Sequence, residues 1–87
     1  MKTYIVFCQP YERMETPILK KLVQAENLVD LTTKYDFYEL FEDGTPKSDK
    51  EVIDAINNID IGGWDAYAIM EIKGDKLIDI VDAGIFG

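Results

Sequence analysis

The chain has 87 residues, which is room for one domain, and its 47% hydrophobic content is that of a globular protein. A net charge of −8 comes with no histidine at all, which excludes Ser-His-Asp and Cys-His nucleophilic sites and histidine-ligated zinc. The single cysteine, Cys8, excludes an intrachain disulfide, so a reducing cytoplasm is the expected compartment.

The first predicted element is a strand over residues 2–8. Tyr4 to Phe7 form a nearly continuous apolar run, which is typical of a central strand that is covered on both faces. Gln9 and Pro10 end this run well below the length of a signal peptide or a membrane span, so no membrane association is expected.

The next two segments are predicted to be a helix and then a strand. Thr16-Pro17 resembles a helix start, and the apolar residues that follow at helical spacing predict a helix over residues 16–27, with Asn27 as its stop. Alternating apolar residues from Val29 favour a strand over residues 29–42. Phe37, Leu40 and Phe41 also fit one helical face, which leaves a helix open there.

A turn over residues 42–46 leads into the second predicted helix, residues 48–60. Ser48 and Glu51 have the spacing of a capping box, and an apolar stripe follows them. Residues 65–73 and 76–83 predict an antiparallel hairpin around Gly74-Asp75. A two-residue loop would place Met70 opposite Asp79, whereas a three-residue loop would place Met70 opposite Ile80.

The three-residue loop gives the more apolar core face, but it sets Glu71 across from Asp79, and two like charges in that position are unfavourable. Together the elements predict one α+β domain over residues 1–87 with the order β-α-β-α-β-β. The expected architecture is a four-stranded mixed sheet with two helices packed on one face.

The candidate reactive groups favour structural roles. Cys8 has no histidine to activate it, so a buried, inert thiol is expected rather than a nucleophile. The hairpin carboxylates could hold Mg²⁺ or Ca²⁺, but their spacing matches no calcium loop, so a solvated acidic face is favoured and no metal or cofactor is expected. The apolar tail, residues 83–87, is expected to pack on the sheet rather than to serve as a docking segment.

The charge is distributed unevenly. Residues 1–34 carry five bases against four acids, whereas residues 35–87 carry four bases against thirteen acids. Such a field repels nucleic acid, so aromatic side chains that could stack bases are not expected to do so. Solubility alone would also explain the acidity.

The first functional hypothesis is a non-enzymatic protein that docks an acidic face on a basic surface of another protein, such as a nucleic-acid-binding site, and inhibits or regulates it. Trp64 would be its apolar anchor, although it could equally close the end of the core. The alternatives are a small metal-dependent hydrolase or nucleotide-processing enzyme that uses hairpin carboxylates, and a subunit that forms a homodimer through a sheet edge. The predicted contact residues are Asp49, Glu51, Asp54, Trp64, Asp65, Glu71, Asp79 and Asp82.

Overall fold

A computed structural model describes residues 1–10, 17–37, 40–41, 44–59 and 65–86. Within these ranges the elements are β1 (Lys2–Gln9), β2 (Leu19–Ala25), α1 (Leu28–Lys34), α2 (Asp49–Asn57), β3 (Ala66–Lys73) and β4 (Lys76–Asp82). The strands form one sheet in the order β2-β1-β3-β4. The α+β class, with a four-stranded sheet and two helices in this part of the chain, is confirmed.

Two features of the predicted topology are wrong. The element order is β-β-α-α-β-β rather than β-α-β-α-β-β, and each neighbouring pair of strands is antiparallel, so the sheet is not mixed. The cause is an exchange of two elements, because the predicted first helix is a strand and the predicted second strand contains a helix. β1 is nevertheless a central strand, as its apolar run predicted.

The helix predicted over residues 16–27 is instead β2, which pairs along its whole length with β1. Apolar residues at helical spacing would bury one helix face, but Leu19 and Leu22 on this strand remain 53% and 64% exposed. Pairing with the ladder of β1 therefore decides the conformation here, against the local helical pattern.

The strand predicted over residues 29–42 is also wrong, because residues 28–34 form α1. Asn27, predicted as a helix stop, caps the start of α1, where its side chain accepts a hydrogen bond from the Asp30 N–H at 2.8 Å. Leu28 and Leu31 lie one turn apart and are buried. Phe37 is buried beyond the helix end.

The second predicted helix and the hairpin are confirmed. The Ser48 side chain accepts the Glu51 N–H at 3.2 Å, and the Glu51 carboxylate accepts the Lys47 N–H at 2.6 Å. The two side chains therefore satisfy one backbone N–H within the first turn of the helix and one just before it. The hairpin has the two-residue loop Gly74-Asp75, and Met70 lies opposite Asp79. A β-bulge shifts the register between Ile69 and Met70, and the hairpin prediction, which assumed a regular register, did not include it.

The sheet has two unlike faces. Residues that lie opposite each other on neighbouring strands share a face, and successive residues alternate between faces. We call the side that carries the buried residues Tyr4, Val6 and Cys8 the core face. Helix residues Leu31 and Ile56 belong to the same buried cluster. The packing of both helices on one face stays a prediction.

The opposite side of the sheet, which we call the outer face, is also rich in apolar residues. The register places three rows across it. They are Gln24–Thr3–Ile72–Leu77, Leu22–Ile5–Met70–Asp79 and Lys20–Phe7–Ala68–Asp82.

Candidate functional site

Three of the predicted contact carboxylates lie on α2, and each has an intramolecular partner. Asp49 accepts the backbone N–H of Val29 at 3.3 Å and so joins the two helices. Glu51 caps the start of α2, and Asp54 forms an exposed ion pair with Lys50 at 2.8 Å. These carboxylates therefore stabilise the helices locally, although the side chains of Glu51 and Asp54 still face solvent.

The hairpin carboxylates lie on opposite sides of the sheet. Glu71 is paired with Tyr4 and lies on the core face, half-buried. Asp79 is paired with Met70 and lies exposed on the outer face. Because the sheet separates them, Glu71 and Asp79 cannot contact one flat partner surface together.

Asp82 anchors the C-terminal tail. Its Oδ1 accepts the N–H groups of Gly84 and Ile85 at 2.9 and 2.7 Å, and its Oδ2 accepts the N–H of Phe86 at 3.1 Å. The Phe86 ring lies 4.9 Å from the Phe7 ring in an edge-to-face contact on the outer face. The tail therefore packs on the sheet, as predicted, in residues 83–86.

Asp49 of α2 and Glu71 of β3 both act electrostatically on the buried Tyr4. Burial raises the pKa of the Tyr4 hydroxyl, and the negative charges of Glu71 and Asp49 raise it further. Two predicted carboxylates from different elements thus lie within electrostatic reach of one buried phenol. Trp64, the predicted apolar anchor, lies outside the described residues.

Asp65 belongs to a separate polar cluster beside Cys8. The thiol is 6% exposed, and its Sγ lies 4.0 Å from Oδ2 of Asp65. Burial raises the pKa of the Cys8 thiol to about 11, the Asp65 charge adds to the rise, and a hydrogen bond with the Tyr67 side chain opposes it. The thiol is therefore protonated at neutral pH, which is the inert state that the sequence predicted.

The tyrosines around Cys8 are equally unreactive at neutral pH. Burial, Cys8 and the acids Asp36 and Asp65 raise the pKa of Tyr35 to about 12, and burial also raises the pKa of Tyr67. Tyr35, Phe37 and Tyr67 pack edge-to-face with centroid distances from 4.8 to 6.3 Å. These aromatic rings form part of the core and are not an exposed platform for bases.

The described residues contain no group of three acidic or cysteine side chains placed to hold a metal ion. In the same part of the chain, no helix is long and apolar enough to cross a membrane. A shallow cavity of about 270 Å³ lies between the residues before α2 and α2 itself, lined by Leu40, Phe41, Gly44, Thr45, Pro46, Glu51 and Ala55. One carboxylate in this lining is too few for the paired chemistry of a hydrolase.

The outer face is the feature that the sequence analysis missed. Leu22 and Leu77, at its two sides, are 64% and 62% exposed, and Ile5, Met70 and Ile72 between them are half-buried. The signal was present, because the run from Tyr4 to Phe7 is apolar at both odd and even positions. Such a run predicts a strand covered on both faces, and in the described residues the second face is covered only in part.

A second cavity lies on this outer face, beside the tail. It has a volume of about 380 Å³ and is lined by Met70, Asp79, Ile80, Val81, Asp82 and Phe86. Apolar walls with two carboxylates at the β4 side are suited to an apolar side chain that has a cation next to it.

Comparison with protein-family models, with curated proteins and with solved structures finds no match to this chain.

Proposed function

We propose that this chain is a non-enzymatic protein-binding domain whose contact surface is the outer face of the sheet. The observation that carries the proposal is the exposure of Leu22 and Leu77 on the same face as the half-buried Ile5, Met70 and Ile72. A contiguous apolar patch with a polar rim is typical of a protein interaction site. Lys20, Gln24 and Asp79 supply that rim.

The groups that could perform chemistry favour binding over catalysis. A nucleophilic thiol needs a lowered pKa, whereas the pKa of Cys8 is raised to about 11. The metal-dependent hydrolase would need several carboxylate oxygens at one point, whereas Glu71 and Asp79 lie on opposite faces of the sheet. The cytoplasm remains the proposed compartment, because a buried, lone cysteine suits a reducing environment.

The test compares two leucines on β2. Leu22→Lys places a charge on the outer face, and Leu19→Lys places the same charge on the same strand, at a similarly exposed position that points to the other side. Tagged wild-type protein and both variants are incubated with native cell extract, and each captured protein is quantified. We expect Leu22→Lys to reduce capture about tenfold or more, because a buried leucine contributes roughly 1.5–3 kcal/mol.

The Leu19→Lys variant is expected to capture as much as the wild type. Equal capture by all three proteins would contradict the proposal, as would an equal loss in both variants. Circular dichroism spectra and melting curves would show that each variant is folded.

A second candidate retains the acidic docking hypothesis, and it is supported by the fact that Asp49 and Glu71, from different elements, both raise the pKa of Tyr4. In this proposal the acidic surface at the start of α2 binds a basic protein. Binding should weaken steeply with salt, and replacing Asp49 and Asp54 by Asn should slow association, whereas Asp79→Asn, on the outer face, should leave it unchanged. Trp64→Ala should mainly speed dissociation, if Trp64 anchors the partner. An affinity that changes neither with salt nor with the substitutions of Asp49 and Asp54 would contradict this candidate.

A further inference from the structure

β1 is apolar on both of its faces, which is typical of a strand with packed layers on either side. Its core face is buried, but on the outer face the described part of the chain supplies only the short tail, whose Phe86 contacts Phe7 at one end. Of the neighbouring positions in the described residues, Leu22 and Leu77 remain exposed, and Ile5, Met70 and Ile72 between them are half-buried. The sequence is therefore suited to a sheet with a further layer on its outer face.

The charges on the outer face indicate which kind of layer would fit it. Lys20 is the charged residue of β2 on this face, and Asp79 and Asp82 are those of β4. The face is thus positive at one side and negative at the other. The remaining lysines of the sheet strands (Lys2, Lys21, Lys73 and Lys76) occupy the alternate positions, which point to the core side.

A surface with this polarity is complementary to itself. A two-fold axis parallel to the strands places β2 of one copy over β4 of the other and keeps each row at its own level, so that Lys20 lies over Asp82 of the second copy, with Asp79 one row away. The same axis places Leu22 over the cavity of about 380 Å³ that Met70 and Phe86 line. An axis across the strands would instead place β2 over β2 and would leave these charges without opposite partners.

We propose that the occupant of the outer face is a second copy of this chain, packed sheet against sheet. This inference rests on the proposed function of the outer face and names its partner. Four strands about 4.8 Å apart and seven residues long give a flat footprint of roughly 450 Å². The accessible area exceeds the footprint because side chains project from it, but it stays near the lower limit for specific interfaces, so a dimer that dissociates at micromolar concentrations is expected.

The experiment is a charge-reversal cycle on purified protein. Sedimentation velocity from about 1 μM to 1 mM gives the dimer dissociation constant of the wild type, of Lys20→Asp, of Asp79→Lys and of the double variant. Each single reversal sets like charges against each other twice in the symmetric dimer, so we expect the dissociation constant to rise at least tenfold. The double variant restores opposite charges and should return to within about threefold of the wild type.

Lys21→Asp is the matched control, because it changes the net charge as much as Lys20→Asp but lies on the core side of the same strand. It should leave the dissociation constant unchanged. A wild type that is monomeric at 1 mM would overturn the inference, as would a dimer that the double variant does not restore. A dimer insensitive to all the reversals would instead indicate pairing through a strand edge and would also overturn it.

The two proposals fail separately. If the wild type is monomeric but Leu22→Lys still loses partners that Leu19→Lys keeps, the outer face binds another protein and only the second copy is refuted. If Leu22→Lys affects neither dimerisation nor capture, both proposals are refuted.

Discussion

The first prediction is that the thiol of Cys8 reacts very slowly in the folded protein. Its thiol has a pKa of about 11 instead of the ordinary 9.0. Thiolate is the reactive form, and each pKa unit is a tenfold change in the protonation equilibrium. At pH 8 the folded protein should therefore hold about 100-fold less thiolate than the same thiol in the unfolded chain. Burial against the core adds a barrier to the reagent.

The assay is labelling with a chromogenic disulfide reagent at pH 8, in native buffer and in strong denaturant. Because Cys8 is the single cysteine, the whole signal reports on it, and a Cys8→Ala variant gives the blank. We expect labelling in native buffer to be at least 100-fold slower than in denaturant. Labelling of the folded protein at the rate of free cysteine would refute both the burial and the raised pKa.

A matched pair of substitutions separates the charge from the burial. Asp65→Asn removes the carboxylate that raises the pKa of Cys8, so it should speed native labelling. Asp75→Asn removes the same charge from the exposed hairpin turn, away from Cys8, and should leave the rate unchanged. Equal rates in both variants would show that burial alone controls the thiol.

Three further predictions concern stability. Because the folded state holds the proton of Cys8 more tightly, the contribution of this thiol to the free energy of unfolding should be constant below pH 9 and should fall by about 3 kcal/mol between pH 9 and 11; in urea titrations Cys8→Ala should remove this part of the fall and leave the part that comes from Tyr4, Tyr35 and Tyr67, whose pKa values are also raised. Ser48→Ala removes the cap of the Glu51 N–H and should cost about 1 kcal/mol in the same assay, whereas Ser48→Asp should restore it; equal stabilities would contradict the role of the cap. Asp82→Asn should weaken the three hydrogen bonds that hold the tail and speed hydrogen exchange of the Phe86 amide, without lowering the melting temperature by more than a few degrees.

The parts of the fold that the sequence predicted correctly are those that local interactions define. Ser48 and Glu51 satisfy the free ends of α2 within one turn, and Gly74 adopts a φ of +66° that favours glycine in a tight turn. Both signals act within a few residues, so they can be interpreted without knowing the rest of the structure.

The parts that were predicted wrongly depend on distant partners. β2 carries lysines and leucines at helical spacing, and its strand conformation comes from pairing with β1. Asn27 illustrates a different ambiguity, because asparagine both ends helices and caps their starts, and the residues after it decide which. The division of Glu71 and Asp79 between two faces follows from the hairpin register, which the sequence had left open between two loops.

The central position of β1 has a consequence for how the chain acquires its structure. β1 precedes the other strands in the chain, yet its neighbour on one side is β3, so Val6 cannot pair with Ile69 until β3 has been synthesised. Contacts between residues so far apart in sequence require an entropically costly loop closure, which slows folding into the millisecond-to-second range. During synthesis, β1 and β2 would form an isolated pair of strands until β3 is available, and such a pair is only marginally stable in water. A chain that stops after α2 would therefore have both helices and the β1–β2 pair, but it would lack β3 and β4, which complete the sheet.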